Sequence, residues 1–289
     1  MLELTDLQTK AFHADGFTLL DHIIETNQVE ILRKAFDRIF SGEFETGTRP
    51  DEVNWQLGES DPELTRQICN AWKGDRSIAA VVQRADFGRV VAELMDWPGT
   101  RVMQDNAIWK PVGAKSLGYH QDNAYLRWFK PGEICTVWIA LDDIEAENGT
   151  MELVKGSHRW QQTEPEGEFH APDDYRAAMV KYANLEGIDP EIVPVVVSEG
   201  GGSLHHGWTW HGSGQNTGSN PRRSLVLHAM SSEVEFVPEE FHQGTGPIYS
   251  RYALPDSTEM DESHFPIIWR RDGYRSSGLV TLDNTKIAY

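Results

Sequence analysis

From Arg101 to about Met230 the chain consists of short segments rich in β-branched and aromatic residues, separated by Gly, Pro, Asn and Asp. This texture constrains the fold more than any other feature. Segments of that length suit strands, which bury their surface by pairing with one another and stacking. The candidate strands are 101–110, 134–142, 150–155, 192–197, 203–210 and 223–230. Glu147-Asn148-Gly149 has the composition of a hairpin turn, since Asn-Gly tolerates positive φ. A helical insertion over about 172–185 interrupts the series. Such a chain is expected to build one decorated all-β core: a sandwich, a barrel or a jelly roll.

The first hundred residues read differently. Thr5 caps a short helix over 5–15, a strand follows Gly16 over 17–24, and a second helix covers about 27–40. The polar stretch 41–61, with three glycines and a proline, predicts a long surface loop of the kind that often forms part of a lid. Helical periodicity returns over 62–73 and 76–96 and stops at Pro98-Gly99. We therefore expect a single domain over 1–289: a mostly helical part (1–100) packed on a β core (101–237), with a C-terminal extension (238–289) rich in Pro, Gly and aromatics that wraps the core.

Charge and cysteine content exclude several functions. Lys and Arg total 26 against 45 Asp and Glu, a formal net charge of -19, and a field of that sign repels phosphate backbones and anionic lipid surfaces. Neither nucleic acid nor membrane is expected as a partner, and no apolar stretch is long enough to span a bilayer. Cys69 and Cys135 are too few for a disulfide framework or a Cys-rich zinc site and read as two buried thiols. A soluble, cytoplasmic protein is expected; the sequence carries no signal for its oligomeric state.

The chemistry concentrates in Gly118-Tyr-His120-Gln121-Asp122 and Trp210-His211-Gly-Ser213-Gly214. On an extended backbone, His120 and Asp122 share a face. Two histidines and one carboxylate on one side of a metal leave its other positions open for a cosubstrate and O₂. His13-Ala-Asp15 has the same pattern, but on a helix end, where residues two apart diverge. It reads as a surface pair. Downstream of His211, a Gly-rich turn leads to Arg222 and Arg223 at the start of the next strand, from which a guanidinium can grip a dicarboxylate bidentately. Only one of the two can face inward.

Taken together, His120-Gln-Asp122, Glu147-Asn-Gly149 with Gly156-Ser-His158, and His211-Gly-Ser-Gly-Gln-Asn216 with Arg222 resemble the signatures of the phytanoyl-CoA dioxygenase family of Fe(II)- and 2-oxoglutarate-dependent oxygenases. The resemblance spans roughly Arg101 to Met230 and extends to the helix-strand-helix opening. It implies a double-stranded β-helix, the cupin-like jelly roll, with His120, Asp122 and His211 as iron ligands. It implies that Arg222 holds the distal carboxylate of 2-oxoglutarate, helped by Ser213 and Lys110 with Trp138 close by. It implies oxidation of a small-molecule C–H bond with release of succinate and CO₂. Asp122 favours hydroxylation over halogenation, since related halogenases carry a small residue there.

Gln121, Tyr125, Arg127 and Trp128 are the candidate substrate contacts. Rings suit apolar contact and Arg127 an anionic group, although strand alternation points Gln121 away from the metal. His205, His206 and His158 read as structural or supporting histidines, with His206 the nearer to the site, and Trp208 and Trp210 as core. Two readings compete with the oxygenase: a non-catalytic jelly roll that binds metal and 2-oxoglutarate, and a metal-dependent lyase or isomerase. The first would lack a ligand or the arginine, and Arg222 argues against the second.

Overall fold

A computed structural model describes residues 1–281, and its opening follows the sequence expectation. Helix α1 (Asp6–Asp15) is capped by Thr5, whose hydroxyl accepts from the Gln8 N–H while the Gln8 side chain returns to the Thr5 N–H. Gly16 ends it at φ +85°, a left-handed turn where a Cβ would also collide with the His158 ring. Strand β1 (Phe17–Leu20) follows, shorter than the expected 17–24. Helix α2 (Thr26–Phe40) buries Val29, Leu32, Ala35, Phe36, Ile39 and Phe40, a stripe at helical spacing.

The next segment departs from expectation. The predicted helix over 62–73 is instead strand β3 (Arg66–Cys69) and a single 3₁₀ turn, with β2 (Glu52–Val53) paired to it from inside the long loop. Leu64, Ile68, Ala71 and Trp72 have helical spacing, but β3 gains backbone pairing along β4 (Gly99–Lys110), and Arg66 stacks over Trp55 and Trp109. Tertiary pairing overrides local preference. The helix expected over 76–96 is two, α3 (Arg76–Val82) and α4 (Ala85–Met95), broken at Gln83-Arg84.

The β region supplies the remaining strands: β5 (Leu117–His120), β6 (Phe129–Lys130), β7 (Ile134–Ala140), β8 (Met151–Val154), β9 (Ile192–Pro194), β10 (Gly202–His206), β11 (His211–Ser213), β12 (Arg222–Ser231), β13 (Glu235–Phe236) and β14 (Ile267–Arg270). Helix α5 (Ala177–Glu186) is the expected insertion, and α6 (Gly246–Tyr249) is one turn in the tail. The large sheet runs β1-β10-β7-β12-β4-β3-β2, with β14 also paired to β4; the smaller runs β5-β11-β8-β9; β13 and β6 form a two-stranded ribbon. All pairings are antiparallel. Two facing antiparallel sheets of this kind make the cupin-like jelly roll, with no closed barrel.

Glu147-Asn-Gly149 is not a hairpin. Gly149 is left-handed (φ +69°), but β7 belongs to the large sheet and β8 to the small one, so the turn carries the chain between sheets. One face of the large sheet packs Val137, Ile139, Leu204, Leu225 and Leu227 against the helices. On the other face Trp138, Ala140 and Val226 meet Met151 and Leu153 of the small sheet. In the tail, Tyr249, Met260 and Phe265 cover Trp128 and Phe236, and β14 extends the sheet. Residues 282–289 of the expected extension lie outside the described residues. Among the described residues no helix is long and apolar enough to cross a membrane.

Candidate metal centre

Strands β5 and β11 pair with His120 directly opposite His211, which sets their rings 4.1 Å apart between centroids. Each Nδ1 lies against a carbonyl two residues back, Gly118 O at 3.0 Å and Thr209 O at 2.9 Å. A carbonyl only accepts, so each Nδ1 donates its proton there, and Nε2 is the ring atom turned to Asp122 and available to a metal. Asp122 begins a 3₁₀ turn just after β5, with Oδ1 3.3 Å from His120 Nε2 and 3.6 Å from His211 Nε2. One ligand atom from each residue falls within 4.8 Å of the others, a group able to hold a metal ion. Burial alone would raise the Asp122 carboxyl, but facing His211, His228 and His120 it is held well below the usual carboxylate range. Burial pushes the His211 imidazole well down, with His120 adding to the effect, so it is neutral and ready to ligate.

The other carboxylate oxygen is fixed by the large sheet. His205, Thr136 and His228 form one row across β10, β7 and β12, and Gln104 of β4 pairs with His228. Asn106 Nδ2 lies 3.0 Å from His228 Nε2, His228 Nδ1 lies 3.0 Å from Thr136 Oγ1, and Thr136 Oγ1 donates to Asp122 Oδ2 at 3.0 Å. An amide N–H can only donate, so His228 carries its proton on Nδ1 and the Thr136 proton is directed to Asp122. Oδ2 is thereby occupied and Oδ1 left for a metal. His205 Nε2 approaches the same oxygen at 3.5 Å, and neither of its ring nitrogens has a hydrogen-bond partner among the described residues.

Behind the cluster, a small chamber of about 60 Å³ runs to Arg222, lined also by Trp138, Ser213 and Met151. Arg222 is 2% exposed. Its guanidinium stands 5.7 Å from the Trp138 ring centroid, its Nε is buried without a partner, and burial lowers it to about 10 despite distant Asp142. Arg223 faces the opposite way and grips Asp142 through Nε (3.1 Å) and Nη2 (2.7 Å). Lys110 stands behind the wall rather than in it, its ammonium donating to Ser213 Oγ (2.9 Å) and the Gly214 carbonyl.

In front of the cluster lies a larger chamber of about 250 Å³, sharing His120, Asp122, Asn106, Gln67, Phe169 and His228 with the inner one. Of the four candidate substrate contacts only Tyr125 lines it. Gln121 turns away as alternation requires, donating to Trp208 O (2.8 Å) and accepting from Thr163 (3.0 Å). Arg127 pairs with Glu164 outside the chamber. Trp128 is sealed in the core, stacked on Tyr249 and donating to Thr245 (2.9 Å).

The family model described as phytanoyl-CoA dioxygenase (PhyH) matches residues 12–224, well over half of the sequence. The chain belongs to the phytanoyl-CoA dioxygenase family. Among its relatives, phytanoyl-CoA dioxygenase domain-containing protein 1 of Danio rerio is 32% identical over 151 residues, 50% of each chain. The homologue in Caenorhabditis elegans is 22% identical over 78% of this chain and 90% of its own. This family member thus spans half the length of the fish relative and nearly all of the nematode one. Among solved structures, the non-haem α-ketoglutarate-dependent carbocyclase SnoK of nogalamycin biosynthesis superposes at TM-score 0.68 and 21% identity, over 92% of this chain and 96% of its own. EctD from S. alaskensis, with 2-oxoglutarate and 5-hydroxyectoine, superposes at 0.63 and 18%, over 81% and 78%. At these identities the likeness is one of fold.

Sequence reasoning missed His228, Thr136, Asn106 and the amides of the outer chamber, and it chose His206 over His205 as the neighbour of the site. His206 is on the opposite face of β10, its Nδ1 accepting from Trp208 N at 3.1 Å. Alternation carried six residues on from Arg222 reaches His228, so a signal for that residue was present.

Proposed function

We propose that this member of the phytanoyl-CoA dioxygenase family is an Fe(II)- and 2-oxoglutarate-dependent dioxygenase that hydroxylates a small molecule. The observation that carries the reading is Arg222: a guanidinium buried at the inner end of a small chamber, with no carboxylate within hydrogen-bonding reach among the described residues. An uncompensated buried charge is costly, and an anion that completes its fork-shaped donor set relieves the cost. The donor set of two imidazoles and one carboxylate suits iron.

In this reading His120, Asp122 and His211 hold the metal and Arg222 the distal carboxylate of 2-oxoglutarate, with Ser213 beside it. Lys110 acts through Ser213, fixing its hydroxyl. Trp138 forms the chamber wall next to the guanidinium, and Thr136 keeps Asp122 to one free oxygen. Bound there, iron and 2-oxoglutarate would supply the power to oxidise a substrate C–H bond with O₂, with succinate and CO₂ as the products from 2-oxoglutarate. The carboxylate of Asp122 fills a position that a halide would otherwise take, which favours hydroxylation.

The test is a calorimetric titration of 2-oxoglutarate into anaerobic Fe(II)-loaded protein, followed by succinate measurement in air. Arg222→Ala should weaken 2-oxoglutarate binding about a hundredfold, while Arg223→Ala leaves it close to wild type. Equal losses in the two variants would remove the assignment, and absence of 2-oxoglutarate binding by the wild type would remove the reading.

A further inference from the structure

The outer chamber has a wall built by strand alternation. Residues two apart on three neighbouring strands project on one side: Glu52 with Asn54 beyond β2, Gln67 on β3, and Gln104 with Asn106 on β4, all lining the chamber. Four of these five side chains are primary amides. Asn54 Nδ2 reaches Gln67 Oε1 at 3.5 Å, and Gln104 Nε2 donates to Asn106 Oδ1 at 3.3 Å. Each amide offers four hydrogen-bonding sites, and one or two are engaged in each. The unused donors and acceptors line a space next to the metal ligands.

The rest of the lining is mainly rings and apolar side chains, with His170 and Thr245 among them. Phe169 stands edge-on to His120 at 4.8 Å between centroids, and Tyr125 at 6.2 Å, with Met103, Leu126 and Ile134 nearby. No lysine or arginine lines the chamber, whereas Glu52 does. A carboxylate, phosphate or thioester-linked nucleotide would find no Lys or Arg side chain in the described lining to pair with. With a net charge of -19 over the chain, the surrounding field also disfavours anions, with Arg251 acting on Glu52 from outside the lining.

We propose that the outer chamber takes an uncharged, hydroxyl-rich small molecule such as a glycoside, its hydroxyls on the amide wall and its C–H face against Phe169 and Tyr125, and excludes acyl-CoA thioesters and free fatty acids. The inference rests on the oxygenase reading for which bond is oxidised, and on the chamber itself for the class of ligand. At about 250 Å³ the chamber is near the lower end of small-molecule pockets, roughly 300 Å³, which suits a one- or two-ring unit.

Saturation-transfer NMR on full-length, zinc-loaded protein with 2-oxoglutarate reads binding without turnover. The probes are phenyl glucoside, phenyl galactoside, palmitate and palmitoyl-CoA. Both glycosides should show transfer, with the glucoside competed by the galactoside, while palmitate and palmitoyl-CoA show none. Asn54→Leu, at an exposed position, should weaken the glycosides about fivefold, as expected for a lost hydrogen bond. Asn54→Arg should admit phenyl glucuronide, which the wild type rejects. Tighter binding of palmitate or palmitoyl-CoA than of either glycoside, or no glycoside transfer, would overturn the proposal. Because 2-oxoglutarate binding is measured separately by calorimetry, failure of the oxygenase reading is seen as loss of that signal, and the glycoside signal still decides the chamber.

Discussion

At the scale of single residues, the carboxylate of Asp122 is defined by what holds its second oxygen. Thr136 is the last member of a chain in which every donor has one direction, from Asn106 through His228 to Asp122. Thr136→Val keeps the shape and removes the hydroxyl. Metal affinity, read by competition with a chromophoric chelator, should fall about ten- to a hundredfold, with an unchanged circular dichroism spectrum. Thr136→Ser should restore most of it. Loss of affinity in the serine variant as well would point to packing rather than the hydrogen bond. The three candidate ligands could be picked out from sequence because two of them are two residues apart and the third stands in a Gly-rich strand-turn context. His228 faces the site by alternation from Arg222, but its meeting with Thr136 and Asp122, like the approach of His205, depends on which strands lie side by side. Arg127 and Trp128 follow the motif closely in sequence, yet the chain turns away from the chamber before reaching them.

At the scale of elements, the α1–β10 junction brings two half-buried imidazoles together away from the candidate metal ligands. His206 N donates to Gly16 O at 2.8 Å, and the His206 and His158 rings lie 5.8 Å apart. Burial, with the neighbouring His158 and His205, pushes His206 down to about 4 from 6.5. His158 is also lowered, by burial and by Arg159. Between about pH 6.5 and 4 the unfolded chain therefore binds protons that the folded chain refuses. The stabilisation is complete above that window and is lost as the pH falls through it. Urea midpoints should drop from pH 7.5 to 5.0, and His206→Asn, whose Oδ1 can still accept from Trp208 N, should flatten the drop. A variant with the full wild-type slope would remove His206 as its source. The strands with alternating or continuous apolar runs were evident from sequence to within a few residues. The errors at 62–73 and at Glu147-Asn-Gly149 share a cause: local composition signals a helix or a turn, but not which sheet the next strand joins.

At the scale of the whole molecule, the candidate ligands link the two sheets. His120 and His211 stand on the small sheet, while Asp122 is tied through Thr136 to the large one. A bound ion should therefore stabilise the entire fold by mass action, by about 2.7 kcal/mol at a hundredfold excess over its dissociation constant. Zn²⁺ should raise the melting temperature and inhibit succinate formation, since it ligates without redox chemistry. A chelator should reverse the shift, and Asp122→Ala should abolish it. A zinc-induced rise of equal size in Asp122→Ala would place the ion elsewhere.

The row His205, Thr136, His228 and Gln104 also governs which changes of chain length the protein can accept. Side chains in a strand alternate with a period of two, so inserting or deleting one residue in β7 ahead of Thr136 would exchange its two faces. Cys135 and Val137, now packed toward the helices, would turn to the metal, and the tether on Asp122 would be lost along with the wall beside Arg222. The strands crossing this row can vary in composition but not in count. The segments between strands, such as 155–176 and the loop ahead of β2, carry no such restriction. Drift in length should accumulate there, where it resizes the outer chamber's rim while the metal ligands keep their spacing.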